Sequence, residues 1–175
     1  FYRLPIFQLG VERHHRAIHA RATAAVARAF GMRVLFAKHA TSATTDLDFV
    51  PLERLLAESD VVSLHCPATP ETRHLMNART LALMPEHAYL VNTARGDVVD
   101  EAALTSVLKE RKIAGAGLDV YEFEPSVTAE LKELENVVLL PHLDSATIET
   151  RTNMGMRALS NLDSFVANGT VTDLV

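Results

Sequence analysis

The feature that most constrains this chain is a repeating alternation along its C-terminal two thirds. Four short apolar runs, at residues 61–64, 88–91, 113–120 and 137–140, are separated by stretches of helical character. The runs are almost continuously apolar, without strict apolar/polar alternation, as strands buried on both faces are. Such strands need helices above and below them. The pattern therefore predicts βαβ units with right-handed crossovers, hence an α/β fold with a doubly wound parallel sheet in a single domain.

The intervening segments support this reading. Residues 100–112 form the clearest crossover helix: Asp100 can cap it, Ala103, Leu104, Val107 and Leu108 make a stripe, and basic residues crowd its end. A last helix is predicted over 147–167, with Ile148, Gly155, Leu159, Leu162 and Val166 on one face and Asn168-Gly169 ending it. Earlier, residues 4–9 read as a strand, and 17–30 as an Ala- and Arg-rich helix closed by Gly31. Residues 33–37 read as a second strand, 41–48 as a polar loop, and 51–56 as a short helix with Pro51 at its start.

Composition narrows the function. With 48% hydrophobic and 22% charged residues the chain is globular in character. A net charge of −5 argues against nucleic acid or an anionic membrane as partner. No apolar run approaches the roughly 20 residues that span a bilayer, and no signal peptide is recognisable. One cysteine, Cys66, excludes an internal disulfide framework and fits a reducing, cytoplasmic setting. The chain opens on Phe1 and reads as a piece of something longer.

In an open parallel sheet, ligands bind outside the carboxyl ends of the strands. Three sets of polar residues fall there. Arg95 follows one run in Val91-Asn92-Thr93-Ala94-Arg95-Gly96; Asp119 and Glu124 follow the next; His142 follows the last, after Pro141. An Arg fork suits a small carboxylate and polarises a carbonyl beside it. A His near a carboxylate can exchange a proton near neutrality. Singly, each is more often a surface or turn residue; together they suit hydride reduction of a 2-keto acid.

Four motifs carry a family resemblance: Ser59-Asp60-Val61-Val62-Ser63-Leu64-His65-Cys66-Pro67, Leu90-Val91-Asn92-Thr93-Ala94-Arg95-Gly96, Ala114-Gly115-Ala116-Gly117-Leu118-Asp119-Val120 with Glu124-Pro125, and Leu140-Pro141-His142 with Ser145-Ala146-Thr147. In these, residues 50–175 resemble the Rossmann-like nucleotide-binding domain of the D-isomer-specific 2-hydroxyacid dehydrogenases. The resemblance implies an oxidoreductase acting on a small 2-keto or 2-hydroxy acid with NAD or NADP. It implies that Arg95 binds the substrate, Glu124 partners the imidazole and His142 is the acid/base. Cofactor contacts are implied near Cys66, Pro67, Thr93, Ala94 and Asp119. It also implies a homodimer.

The chain departs from that family in its first 31 residues. Only Gly10 and Gly31 precede Arg95, so the G-x-G-x-x-G phosphate loop is missing; its glycines would fall near His15, Ala17 and Ala20. The ribose-binding acidic residue is also missing: Ala37-Lys38-His39 stand in its place, and Lys38 favours a 2′-phosphate, hence NADPH. Asp144 stands where the family has Gly after the catalytic His. His15 and His19, four apart, lack the carboxylate or cysteine that would complete a metal shell, so no metal is expected and the stretch 11–21 reads instead as locally frame-shifted. Nothing here encodes the family's substrate-binding domain. The rival reading is a non-catalytic binding or dimerisation module with a degraded cofactor site.

Overall fold

The computed structural model describes residues 6–7, 18–37, 49–143, 145–171 and 173. It divides into two compact units, residues 1–141 and 142–175. In chain order the first unit carries β1 (Ile6–Phe7), α1 (Ile18–Ala29), β2 (Phe36–Ala37), β3 (Phe49–Val50), α2 (Leu52–Ala57), β4 (Val61–Leu64), α3 (Ala78–Leu81) and β5 (Tyr89–Asn92). A 3-10 turn (Gly96–Val98), α4 (Glu101–Lys109), β6 (Gly115–Leu118), α5 (Ala129–Lys132) and β7 (Val137–Leu139) complete it, and the second unit carries α6 (Ile148–Asn168).

Five strands form one parallel sheet in the order β1-β4-β5-β6-β7, and β2 pairs with β3, also in parallel. The predicted doubly wound sheet is what the chain builds. Residues 33–37, which end in β2, face two cores. Val34 and Phe36 pack with Ala20, Ala24 and Ala27 of α1, whereas Leu35 and Ala37 belong to the main core with Leu55, Leu64, Leu90, Leu104 and Leu108. Alternate residues of one extended segment thus point into two cores. Three alanines at i, i+4 and i+7 let α1 approach closely, and Arg28 lies 5.9 Å over the Phe36 ring.

Helix ends follow the expected chemistry. The Asp100 carboxylate accepts the Ala103 N–H at the start of α4. Asn77 and Thr80 form a capping box on α3, one of three short elements, with α5 and the 3-10 turn, that apolar periodicity does not reveal. Residues 113–120 form a shorter strand than expected, because the chain enters the sheet only at Gly115. The expected strand at 4–9 is described only at Ile6–Phe7, and the expected loop at 41–48 lies outside the described residues.

The second unit is one long helix and its ends. Thr147 accepts the Thr150 N–H at the start, and Gly169 closes α6 with φ 73. Arg157 donates two hydrogen bonds, 2.5 and 2.7 Å, to the Asp173 carboxylate. The expected apolar row is on the helix, yet no residue of α6 is buried; Ile148, Leu159, Leu162 and Val166 all stay exposed. Among the described residues no helix is long and apolar enough to cross a membrane.

Among the described glycines, the one with least room for a Cβ lies just past β5. A Cβ on Gly96 would sit 1.8 Å from the Tyr121 carbonyl oxygen, which leaves no room for any side chain. Gly96→Ala is expected to lower stability by about 1–3 kcal/mol or more through overpacking against rigid backbone. Urea unfolding of the variant checks this, and an unmoved midpoint would contradict the contact.

Candidate active site

The parallel register sets the site. Leu64, Asn92, Leu118 and Leu139 lie in one row across β4, β5, β6 and β7, so the chain leaves all four strands at the same edge of the sheet. The path of the chain beyond each strand is then decided locally.

At the β4 exit, Ser63 Oγ lies 2.9 Å from His65 Nε2. Burial, then repulsion from His19, lowers the His65 pKa from 6.5 to about 4, so the ring is neutral at neutral pH. Cys66 is buried, and burial pushes its thiol up to about 12. Its side chain belongs to the core, which leaves only its backbone for a cofactor. The Pro67 carbonyl accepts the Thr72 hydroxyl at 2.6 Å, which folds the following turn back on the exit.

At the β5 exit a buried side chain does the shaping. Asn92 Oδ1 accepts the Ala94 N–H and Asn92 Nδ2 donates to the Arg95 carbonyl, both at 3.0 Å. These bonds turn the chain so that Thr93 and Arg95 are exposed and Ala94 is half-buried. Arg95 donates one N–H to the Ala94 carbonyl at 2.6 Å, which lays the guanidinium along the exit loop. Sequence reasoning does not single out Asn92. A polar residue ending an otherwise apolar strand is the available signal.

At the β6 exit, Asp119 is buried and its N–H donates to the Asn92 carbonyl at 3.0 Å. Glu124 is exposed, and its Oε1 accepts the Tyr121 N–H at 2.9 Å. Behind this loop sits a carboxylate knot that sequence reasoning misses. Glu101 N–H donates to Glu122 Oε2 and Glu122 N–H donates to Glu101 Oε2, each at 3.2 Å. His74 Nε2 lies 2.6 Å from Glu122 Oε1, and Thr128 donates both its N–H and its hydroxyl to Glu101 Oε1. At the β7 exit, Leu140 N–H donates to the Leu118 carbonyl at 2.9 Å.

Arg95 thus follows β5, and Asp119 and Glu124 follow β6, its neighbour in the sheet, with Thr93 and Ala94 at the β5 exit and Cys66 and Pro67 after β4. His142 opens the second unit, exposed and with φ 57. At this edge the exposed Thr93 and Arg95 flank the β5 exit, while the Ala94 N–H and the Ala94 and Arg95 carbonyls are taken by bonds within it. At α1, Ala20 is fully buried against the extended segment. His15, Ala17, Lys38, His39 and Asp144 lie outside the described residues. No group of three or more His, Cys, Asp or Glu side chains able to hold a metal occurs among the described residues.

Residues 19–143 match the family model of the D-isomer specific 2-hydroxyacid dehydrogenase NAD binding domain. The chain belongs to this dehydrogenase family. Its relatives in the family include the glyoxylate reductase of Korarchaeum cryptofilum, 46% identical over 92% of this chain and 52% of that protein. The glyoxylate reductase of Thermococcus kodakarensis is 48% identical over 86% of this chain and 46% of that protein. Among solved structures, the NADPH-dependent glyoxylate/hydroxypyruvate reductase from Sinorhizobium meliloti, in complex with NADP and malonate, superposes with a TM-score of 0.87 at 31% identity. That match covers 99% of this chain and 53% of the other. The chain therefore spans about half the length of the dehydrogenases it matches, and that half is their NAD-binding domain.

The neutral His65 gives this dehydrogenase domain a pH signature. Its pKa of about 4 in the fold lies below 6.5, so the unfolded chain binds the proton more readily. Stability present above pH 6.5 is expected to fall as the pH drops through that window toward 4. Urea midpoints measured across it should decline less steeply in His65→Gln; parallel curves would show that His65 does not carry the effect.

Proposed function

We propose that the protein is an oxidoreductase that transfers a hydride between NAD(P)H and a small 2-keto or 2-hydroxy acid, with residues 1–175 serving as one cofactor-binding domain. The observation that supports this is the row of aligned strand ends, after which Arg95 follows β5 and Asp119 and Glu124 follow β6, in a chain whose relatives include glyoxylate reductases. In this reading the Arg95 fork binds the substrate carboxylate and polarises the adjacent carbonyl. His142 donates the proton to the carbonyl oxygen in reduction and takes it back in oxidation, with Glu124 as partner of its ring. The cofactor supplies or accepts the hydride. The backbone at Cys66, Pro67, Thr93 and Ala94 and the Asp119 carboxylate would hold its nicotinamide and ribose.

NADPH is the favoured form in this proposal. Lys38 stands where an acidic residue would repel a 2′-phosphate, and the Sinorhizobium relative is NADPH-dependent. Glyoxylate and hydroxypyruvate are the substrates that the relatives' names supply. A cytoplasmic setting agrees with one free cysteine held in the core. A homodimer is part of the same reading, supported by the apolar side chains that α6 leaves exposed.

Fluorescence titration with NADPH and NADH tests the cofactor, with NADPH expected to bind more tightly. Binding of neither at millimolar concentration would favour the rival, non-catalytic module, which the missing phosphate-loop glycines motivate. Where binding is seen, Arg95→Ala is expected to lower kcat/KM for glyoxylate and hydroxypyruvate by about a hundredfold, as loss of a bidentate carboxylate anchor does. Equal rates would remove Arg95 from its role.

A further inference from the structure

One residue touches the exits of three strands. The backbone carbonyl of Tyr121 lies where a Cβ of Gly96 would be, so the residue after Arg95 rests directly on it. The Tyr121 N–H donates to Glu124 Oε1 at 2.9 Å. Its hydroxyl donates to the Leu140 carbonyl at 2.7 Å, with the Leu118 carbonyl farther off at 3.3 Å. Leu140 stands two residues before His142. The ring itself is buried in the main core, so the hydroxyl reaches these carbonyls from a fixed base.

We propose that Tyr121 is a positioning residue of the reaction centre, its hydroxyl fixing the β7 exit that leads into His142 while its backbone fixes Arg95 and Glu124. This rests on the roles given to those three residues above. A core tyrosine needs only its ring for packing, and phenylalanine would supply that equally well. The hydroxyl adds something else, since it is buried and a buried hydroxyl without a partner is costly. Burial, followed by the charge of Asp119, raises its pKa, so the phenol keeps the proton it donates. The recipient is the last strand residue's successor, Leu140, whose side chain is itself exposed and cannot anchor the exit by packing. The hydrogen bond therefore supplies what apolar contact does not at that point. A single side chain then links the β6 loop to the β7 exit, and small displacements of reacting groups are expensive in rate.

The test is Tyr121→Phe in the full chain, with Tyr89→Phe, an exposed tyrosine at the far end of β5, as control. Reduction of glyoxylate by NADPH is expected to lose about tenfold in kcat with little change in the KM for NADPH, because orientation and not binding is lost. The control should match the native protein. A second measurement needs no turnover: the NMR titration midpoint of the His142 ring, assigned from the spectrum of His142→Gln, is expected to move in Tyr121→Phe, because the backbone two residues before it is no longer held. Native kcat together with an unmoved His142 midpoint would overturn the proposal. A native protein that reduces no 2-keto acid would sink the functional reading instead, and the His142 midpoint would still decide the role of Tyr121.

Discussion

The strand exits depend on one constraint, the unshifted parallel register of β4, β5, β6 and β7. Parallel strands present all their carboxyl ends at one edge, and the crossover helices return each chain to the opposite edge to begin again. With Leu64, Asn92, Leu118 and Leu139 in a row, residues far apart in sequence leave the sheet side by side. A slip of one residue in any strand would turn its core side chains to the wrong face, so burial of Leu64, Leu90 and Leu118 enforces the alignment. The core thus does two things at once: it stabilises the sheet and it fixes where polar chemistry can emerge.

Polar bonds then shape what the core has aligned. Asn92 and the pair Glu101–Glu122 are buried, and each places its polar atoms on backbone N–H or carbonyl groups of loops. A buried carboxylate without partners would cost several kcal/mol; here each meets two or more donors, and among the described residues no buried side-chain polar atom is left unsatisfied. The reciprocal bonds between Glu101 and Glu122 tie the start of α4 to the loop that carries Glu124. His74 adds a third segment to that knot, held at φ 48, a conformation that side chains adopt only where surroundings require it.

How much of this is legible depends on which forces write themselves into sequence. Burial leaves an apolar run, so β4, β5 and β6 can be read directly; β7 is an equally apolar run, but it does not have the double-sided burial expected of it, since Val138 and Leu140 are exposed. Capping leaves Asp100, Thr147 and Gly169 at helix ends, and these are equally plain. Arg95, Asp119 and Glu124 stand out because strand ends are where polar residues become conspicuous. The knot behind them is not legible: Glu101 and Glu122 are 21 residues apart, and only the three-dimensional return of α4 brings them together. Asn92 is hidden inside a motif for the same reason. The first 31 residues fail differently. There the expected glycines are missing, and the family match starts only at residue 19, inside the first turn of α1.

The two units also differ in what holds them. In the first, large side chains such as Phe36, Leu55, Leu90 and Leu104 are fully buried, and loops are pinned by polar bonds to that core. In the second, α6 buries no side chain and depends on its caps, its internal hydrogen bonds and the Arg157–Asp173 pair. Exposed ion pairs contribute little, and helices of this length draw most of their stability from a packed apolar face. Ile148, Leu159, Leu162, Phe165 and Val166 provide such a face without a covering layer in the unit itself. Opening of the helix should therefore cost far less free energy than opening of the sheet, because local stability follows the number of buried apolar contacts. His142 sits at the start of this weaker unit and Glu124 in the stronger one. The Leu140 carbonyl, two residues before His142 in the chain, is held by the Tyr121 hydroxyl.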